Sequence, residues 1–140
     1  MHYKQLLDPA LFLGPQDFVA EREVAISRVT RGEMPNRDGA EKQFAPMLYI
    51  MQRDGKEYPR PYKVPKSVLY GLSLHLGNDA DAWAGKKITI FSAHCMAFGQ
   101  REECLRVRFT TEIDQQILKW LKKRKASASA YMLPTEKVPT

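Results

Sequence analysis

Cations and flat rings alternate along one stretch of this chain. In Lys87-Ile-Thr-Ile-Phe91, Ile88 and Ile90 alternate with Lys87, Thr89 and Phe91; further on, Leu105, Val107 and Phe109 alternate with Arg106, Arg108 and Thr110. Successive side chains of an extended chain point to opposite faces. One face of this pair of strands is therefore expected to be apolar and the other to carry Lys87, Phe91, Arg106 and Arg108. Positive charge interleaved with aromatic rings suits a single nucleic-acid strand, the cations attracting phosphates and the rings stacking on bases. Tyr49, and Phe98 in the connection between the two strands, are further candidate stacking rings. The segment from Arg53 to Lys63 holds four cations, two anions and two tyrosines. Pro59 and Pro61 stiffen it and deny it ladder hydrogen bonds. Arg53, Lys56, Tyr58, Arg60, Tyr62 and Lys63 are expected to close over a bound strand, or else to form a surface loop whose tyrosines cap the core edge.

Other chemistry is poorly provided for. The histidines are His2, His75 and His94, and the cysteines Cys95 and Cys104, with no Cys-x-x-Cys among them. Adjacent His94 and Cys95 on a strand point to opposite faces, so a zinc site is not expected. The glycines are scattered, with no phosphate-cradling Gly-x-x-x-x-Gly-Lys-Ser/Thr. As a nucleophile Cys95 or Cys104 would need an orienting third group, and the acidic residues do not gather as a metal-dependent nuclease requires. No catalytic residue, metal or cofactor is nominated, and the chain reads as a non-enzyme.

The elements that must hold these residues can be read in order. Leu6, Leu7, Leu11, Phe12 and Leu13 form a short apolar N-terminal arm, broken at Gly14-Pro15. Phe18 to Val29 reads as a strand with Val24 and Ile26 on one face and Glu23, Ala25 and Ser27 on the other. Turn formers from Arg31 to Gln43 predict a flexible connection. Phe44 to Arg53 is a second strand, with Leu48 and Ile50 on one face and Met47, Tyr49, Met51 and Arg53 on the other; Asp54-Gly55 signals a turn. Ser67 is a plausible N-cap for a helix whose face is Val68, Leu69, Leu72 and Leu76, ended by Gly77-Asn78. Trp83 is expected to close one end of the core, with base stacking as the other reading. After the central strands, Ile113, Ile117, Leu118 and Leu121 recur at helical spacing over Glu112 to Lys125. Acids at that helix's start and cations at its end complement its dipole; the surplus of lysines could also attract phosphate.

The run Trp83-Ala-Gly-Lys-Lys-Ile-Thr-Ile90, then Ala97-Phe-Gly99, then Leu105-Arg-Val-Arg108, resembles a family of small bacteriophage proteins that in turn resemble oligonucleotide/oligosaccharide-binding (OB) barrels. The resemblance covers about residues 11 to 111, strongest from Leu69 to Arg108. It implies a mainly β fold with some α structure, an OB-like small barrel with a capping helix; the C-terminal amphipathic helix that follows rests on its own periodicity. It also implies binding of single-stranded DNA in phage replication or recombination. Residues 1–125 are then one domain with its arm and helix, and 126–140 a flexible tail, or one that docks through Tyr131, Met132 and Leu133. The tail lacks the acidic run with which housekeeping single-strand-binding proteins usually recruit partners.

Length and composition agree with a single domain. A chain of 140 residues buries roughly two-thirds of its unfolded surface and needs no disulfides. Two cysteines fit a reducing compartment. No signal peptide and no run of ~20 apolar residues is visible, so the expected location is the cytoplasm, that of the host if the chain is phage-encoded. The formal net charge of +6, from 22 Lys and Arg against 16 Asp and Glu, is compatible with an anionic partner. Two functions of different class emerge: a DNA-binding protein for single strands, or a phage factor that grips and inhibits or redirects a host protein through its arm and tail. Self-association through an exposed barrel edge is compatible with either.

Overall fold

The computed structural model describes residues 11–34, 43–97 and 99–133. Five strands form one antiparallel sheet: β1 (Arg22–Met34), β2 (Gln43–Ile50), β3 (Tyr62–Lys63), β4 (Lys87–Ala97) and β5 (Gln100–Val107), in the order β3-β2-β1-β4-β5. Helix α1 (Lys66–Leu76) lies between β3 and β4, and α2 (Thr111–Lys123) and the short α3 (Ala128–Tyr131) follow β5. Short 3-10 turns at Pro15–Asp17 and Ala80–Trp83 complete the fold. The chain is thus mainly β with a few helices. Among the described residues no helix is long and apolar enough to cross a membrane.

β1 and β4 are each long enough to take neighbours on both sides. The first residues of β1 pair with β4, Arg22 opposite Ile90 and Ala25 opposite Lys87. The rest pairs with β2, from Ile26 opposite Ile50 to Met34 opposite Gln43. β1 therefore runs through Arg31–Met34, where turn formers suggest a connection; the remainder of that connection lies outside the described residues. The pairing is supported by a cross-strand contact, with the Arg31 guanidinium 4.9 Å from the Phe44 ring centroid. β4 and β5 pair down to Ala97 opposite Gln100. Gly99 there takes φ +76°, a conformation open to a residue without Cβ.

The core fills one face of the sheet. Val24, Ile26, Leu48, Ile50, Ile88, Ile90, Leu105 and Val107 meet Val68 and Leu72 of α1, and Ile117 and Leu121 of α2. Trp83 is buried here with its indole N–H donating to the Gly77 carbonyl at 2.9 Å, the structural one of its two readings. The α1 N-cap is Pro65 rather than Ser67, which is buried in the first turn. Thr110 caps α2, its hydroxyl accepting from the Ile113 N–H at 3.2 Å. Leu118, expected on the buried face of α2, is exposed.

The sheet is not closed into a barrel. β3 and β5 are its two edges. β3 has two residues, with Pro61 before it and Pro65 shortly after, and proline has no N–H to donate. The edges nonetheless approach: the Tyr62 hydroxyl of β3 donates to the Leu105 carbonyl of β5 at 2.7 Å. Tyr62 is therefore a buried seam residue and not part of a clamp. Burial raises the pKa of its phenol, keeping the donor proton in place.

The boundary expected between Lys125 and Ala126 falls inside packed structure. Tyr131 is buried, its hydroxyl donating to Asp114 at 3.0 Å, and the Leu133 N–H bonds the His94 carbonyl at 2.7 Å. Residues 134–140 of the expected tail and 1–10 of the arm lie outside the described residues. Within the arm's described part, Leu13 is buried and its N–H bonds the Pro61 carbonyl at 2.8 Å.

Candidate nucleic-acid interface

What the outer face of the sheet carries is decided at Ser27. The β1–β2 register slips between Ile26 and Arg28. Such a bulge inserts one residue and shifts the alternation. The core series Val24, Ile26 continues at Val29, leaving Arg28 outside beside its register partner Tyr49. The Arg28 guanidinium lies 3.8 Å from the Tyr49 ring centroid. It also grips Glu57 through two bonds of 2.7 and 3.3 Å. Glu57 accepts from the Ser27 hydroxyl as well. Its carboxyl is held below the ordinary range mainly by the Arg28 hydrogen bond.

A second pair lies on the same face. Arg108 follows β5, kept extended by its N–H to the Thr89 carbonyl at 2.8 Å. Its guanidinium lies 4.2 Å from the half-buried Phe91 ring and is ion-paired with Glu21. Lys87 is exposed and sits 3.8 Å from Glu23. Where β2 ends and leaves the first residues of β1, a cleft of about 440 Å³ opens, lined by Arg22, Arg53 and Tyr58 among others. Lys56 and Lys63 are exposed at the β2–β3 turn and on β3.

The β2–β3 segment is tied down, unlike a swinging clamp. Met51 bridges Glu57, and the Tyr58 N–H bonds the Ile50 carbonyl at 2.7 Å. Arg60 holds Asp17 by bonds of 2.7 and 3.3 Å, its guanidinium 5.6 Å from the Tyr58 ring. With side chains 24% and 9% exposed, the Arg60–Asp17 pair is a structural tether. The other pairs, Arg28–Glu57, Lys87–Glu23 and Arg108–Glu21, are more exposed. Such pairs are screened by solvent and only weakly held.

One expected phosphate ligand is removed from the face. Arg106 points outward from β5 but is only 5% exposed, because α3 lies over it. Its guanidinium donates to the carbonyls of Tyr131 at 2.5 Å, Leu105 at 2.7 Å and Ala130 at 3.1 Å. The cation ends α3, as cations do where helical carbonyls lack partners. Alternation correctly predicts its direction, but not what covers it. Phe98 lies outside the described residues. Sequence reading also missed Arg28, although the apolar spacing of Val24, Ile26 and Val29 was a usable sign of the bulge.

Cys95 and Cys104 share the covered face, both as free thiols. Burial, with Cys95 adding to it, pushes the Cys104 thiol up to about 12. The thiolate is the reactive form. A thiol-disulfide reagent at neutral pH should therefore modify the native protein roughly tenfold or more slowly than the urea-unfolded chain. Equal rates would mean that the α3 cover is open in solution. His94 is exposed and Cys95 buried, and among the described residues no three His, Cys, Asp or Glu side chains gather to share an ion.

Comparison with protein-family models, with curated proteins and with solved structures gave no match.

Proposed function

We propose that this protein is a non-enzymatic single-stranded nucleic-acid-binding module, of the phage OB-like kind its sequence resembles, acting on DNA in replication or recombination in the cytoplasm. The strand order supports the reading: β3-β2-β1-β4-β5 with a helix between β3 and β4 is the order of a five-stranded OB barrel unrolled between its third and fifth strands. Such barrels are commonly only partly closed. The observation that carries the reading is the pair of guanidinium–ring stacks on the outer face, Arg28 on Tyr49 and Arg108 on Phe91. Each offers a ring for a base beside a cation held by a displaceable carboxylate.

The test is fluorescence anisotropy of a labelled oligothymidine at two salt concentrations, with duplex as competitor. Salt-sensitive binding that duplex fails to compete is expected. Stacking is worth about 1–3 kcal/mol per base, so Tyr49→Ala and Phe91→Ala should each weaken binding roughly tenfold. A Tyr49→Ala/Phe91→Ala double variant that binds as tightly as the parent would remove the outer face from the site. Under the alternative host-protein reading the tail would contribute contacts, but its Tyr131 is buried in the chain's own core.

A further inference from the structure

Among the described residues, a cluster of cations stands beside half-buried rings on the helices. α1 and α2 pack closely at Gly71, where an added Cβ would stand 2.4 Å from Phe109 and 2.7 Å from Ile117. That approach brings the next residue, Tyr70, against Trp120 of α2, with ring centroids 5.2 Å apart and planes 13° from parallel. The Arg124 guanidinium lies 4.2 Å from the Trp120 ring centroid. These three residues, with Lys66, Leu69 and the edge of Trp83, line a groove of about 500 Å³. Beside it, Lys119, Lys122 and Lys123 border a second cleft that shares both rings. At the groove's other end Leu69 and Ala80 are also walls of a shallow cleft reaching Phe44 and Arg31 on the β1–β2 hairpin. Phe44 is 47% exposed.

Charge distinguishes this surface from the outer sheet face. There, the two exposed cations stacked on rings, Arg28 and Arg108, each have a carboxylate partner. Among the described residues lining the groove and both adjoining clefts, none is acidic. The acids of α2, Glu112 and Asp114, are in its first turn, while the lysines and Trp120 belong to its last turns. Acids do stand nearby, Asp79 and Asp81 on either side of Ala80 with the Asp79 carboxylate accepting from the Asp81 N–H, and Glu33 opposite Phe44 in the ladder, but six cations are among the lining residues themselves. The occupant should therefore be anionic, and should present flat groups to rings already set parallel. A single nucleic-acid strand meets both conditions. An acidic peptide meets only the first.

We infer that the α1–α2 groove, from Trp120 and Tyr70 to Phe44, is a second contact surface for the same single strand, with Lys119, Lys122 and Lys123 as its phosphate ligands. The inference rests on the single-strand reading above and adds a site to it. Two variants with exposed side chains test it without touching the core: Phe44→Ala, and Lys119→Gln/Lys122→Gln/Lys123→Gln. Against labelled oligothymidine, Phe44→Ala should weaken binding roughly fivefold or more. The triple variant should lower the slope of log affinity against log salt by about 2, at ~0.7 per phosphate contact on a single strand. Oligothymidine should also quench the Trp120 emission, Trp83 being buried.

If these variants bind as the parent does while Tyr49→Ala and Phe91→Ala are weakened, the groove is excluded and the sheet-face site stands. If oligothymidine does not bind at low salt, both fall. If a glutamate-rich peptide quenches Trp120 and oligothymidine does not, the groove takes an acidic protein partner and the inference is overturned.

Discussion

Replacing Arg106 by alanine is expected to lower the free energy of unfolding by about 3 kcal/mol, a shift of roughly 1–2 M in the urea midpoint. The guanidinium is the donor to three main-chain carbonyls, two of them in α3 and one in β5. Removing it leaves buried acceptors unpaired and takes away the aliphatic stem that packs beneath α3. The loss should begin locally. α3 has four residues, too few to persist without tertiary contacts, so its amides should exchange hydrogen fastest in the variant. Arg106→Lys should recover less than half of the stability, since an ammonium cannot span three carbonyls as a planar fork does. Arg108→Ala, one strand position away on the same face but exposed, should move the midpoint little. An unchanged midpoint for Arg106→Ala would show that α3 does not cover β5 in solution. Arg106 would then return to the list of phosphate ligands.

Gly71→Leu should be comparably damaging for a different reason. The atoms that a Cβ would strike belong to Phe109 and Ile117, both buried. Neither can swing into solvent, so the helices must part. Overpacking of this kind costs about 1–3 kcal/mol or more. Gly71→Ala should be milder, because alanine returns about 1 kcal/mol of helix propensity. The spectroscopic reading is specific: separating α1 from α2 should break the Tyr70–Trp120 stack and shift Trp120 emission to the red, while the buried Trp83 changes little. A Gly71→Leu variant with the parent's stability and emission would refute the close packing on which the groove depends. Together the two variants separate cover from scaffold: one loosens the outer sheet face, the other the helical face.

How much of this was legible beforehand differs by element. The β4–β5 hairpin was, because Ile88, Ile90, Leu105 and Val107 keep a strict period of two and all are buried on one face. The helix α2 was legible in part: its Ile117 and Leu121 face the core as their spacing predicts, whereas Leu118 is exposed. The end of β1 was not legible. Gly32 and Glu33 look like turn residues, and only pairing with β2 extends them. Met47, placed by alternation on the outer face, is buried there. Its diagonal neighbour across the ladder is Gly32, where an added Cβ would stand 2.6 Å from the Met47 Cγ, so the methionine lies over the missing side chain.

The candidate site shows the same division. Phe91 with Arg108, and Tyr49 on the outer face, follow from alternation alone. Their carboxylate partners do not, because Glu21, Glu23 and Glu57 reach them through tertiary folding. Tyr70 and Trp120 are fifty residues apart in sequence, and nothing local to either predicts a parallel stack.

The chain by itself determined the faces of β2, β4 and β5, the presence of the two longer helices, and the cation–ring composition, since these depend on spacing and on groups a few residues apart. Only the tertiary structure decided which of those cations are free to meet a ligand. That depends on what lies opposite: α3 over Arg106, the β5 carbonyl before Tyr62, Asp17 against Arg60. Contacts between distant segments are set by how the sheet coils and the helices pack, and a period of two or of 3.6 carries no record of them.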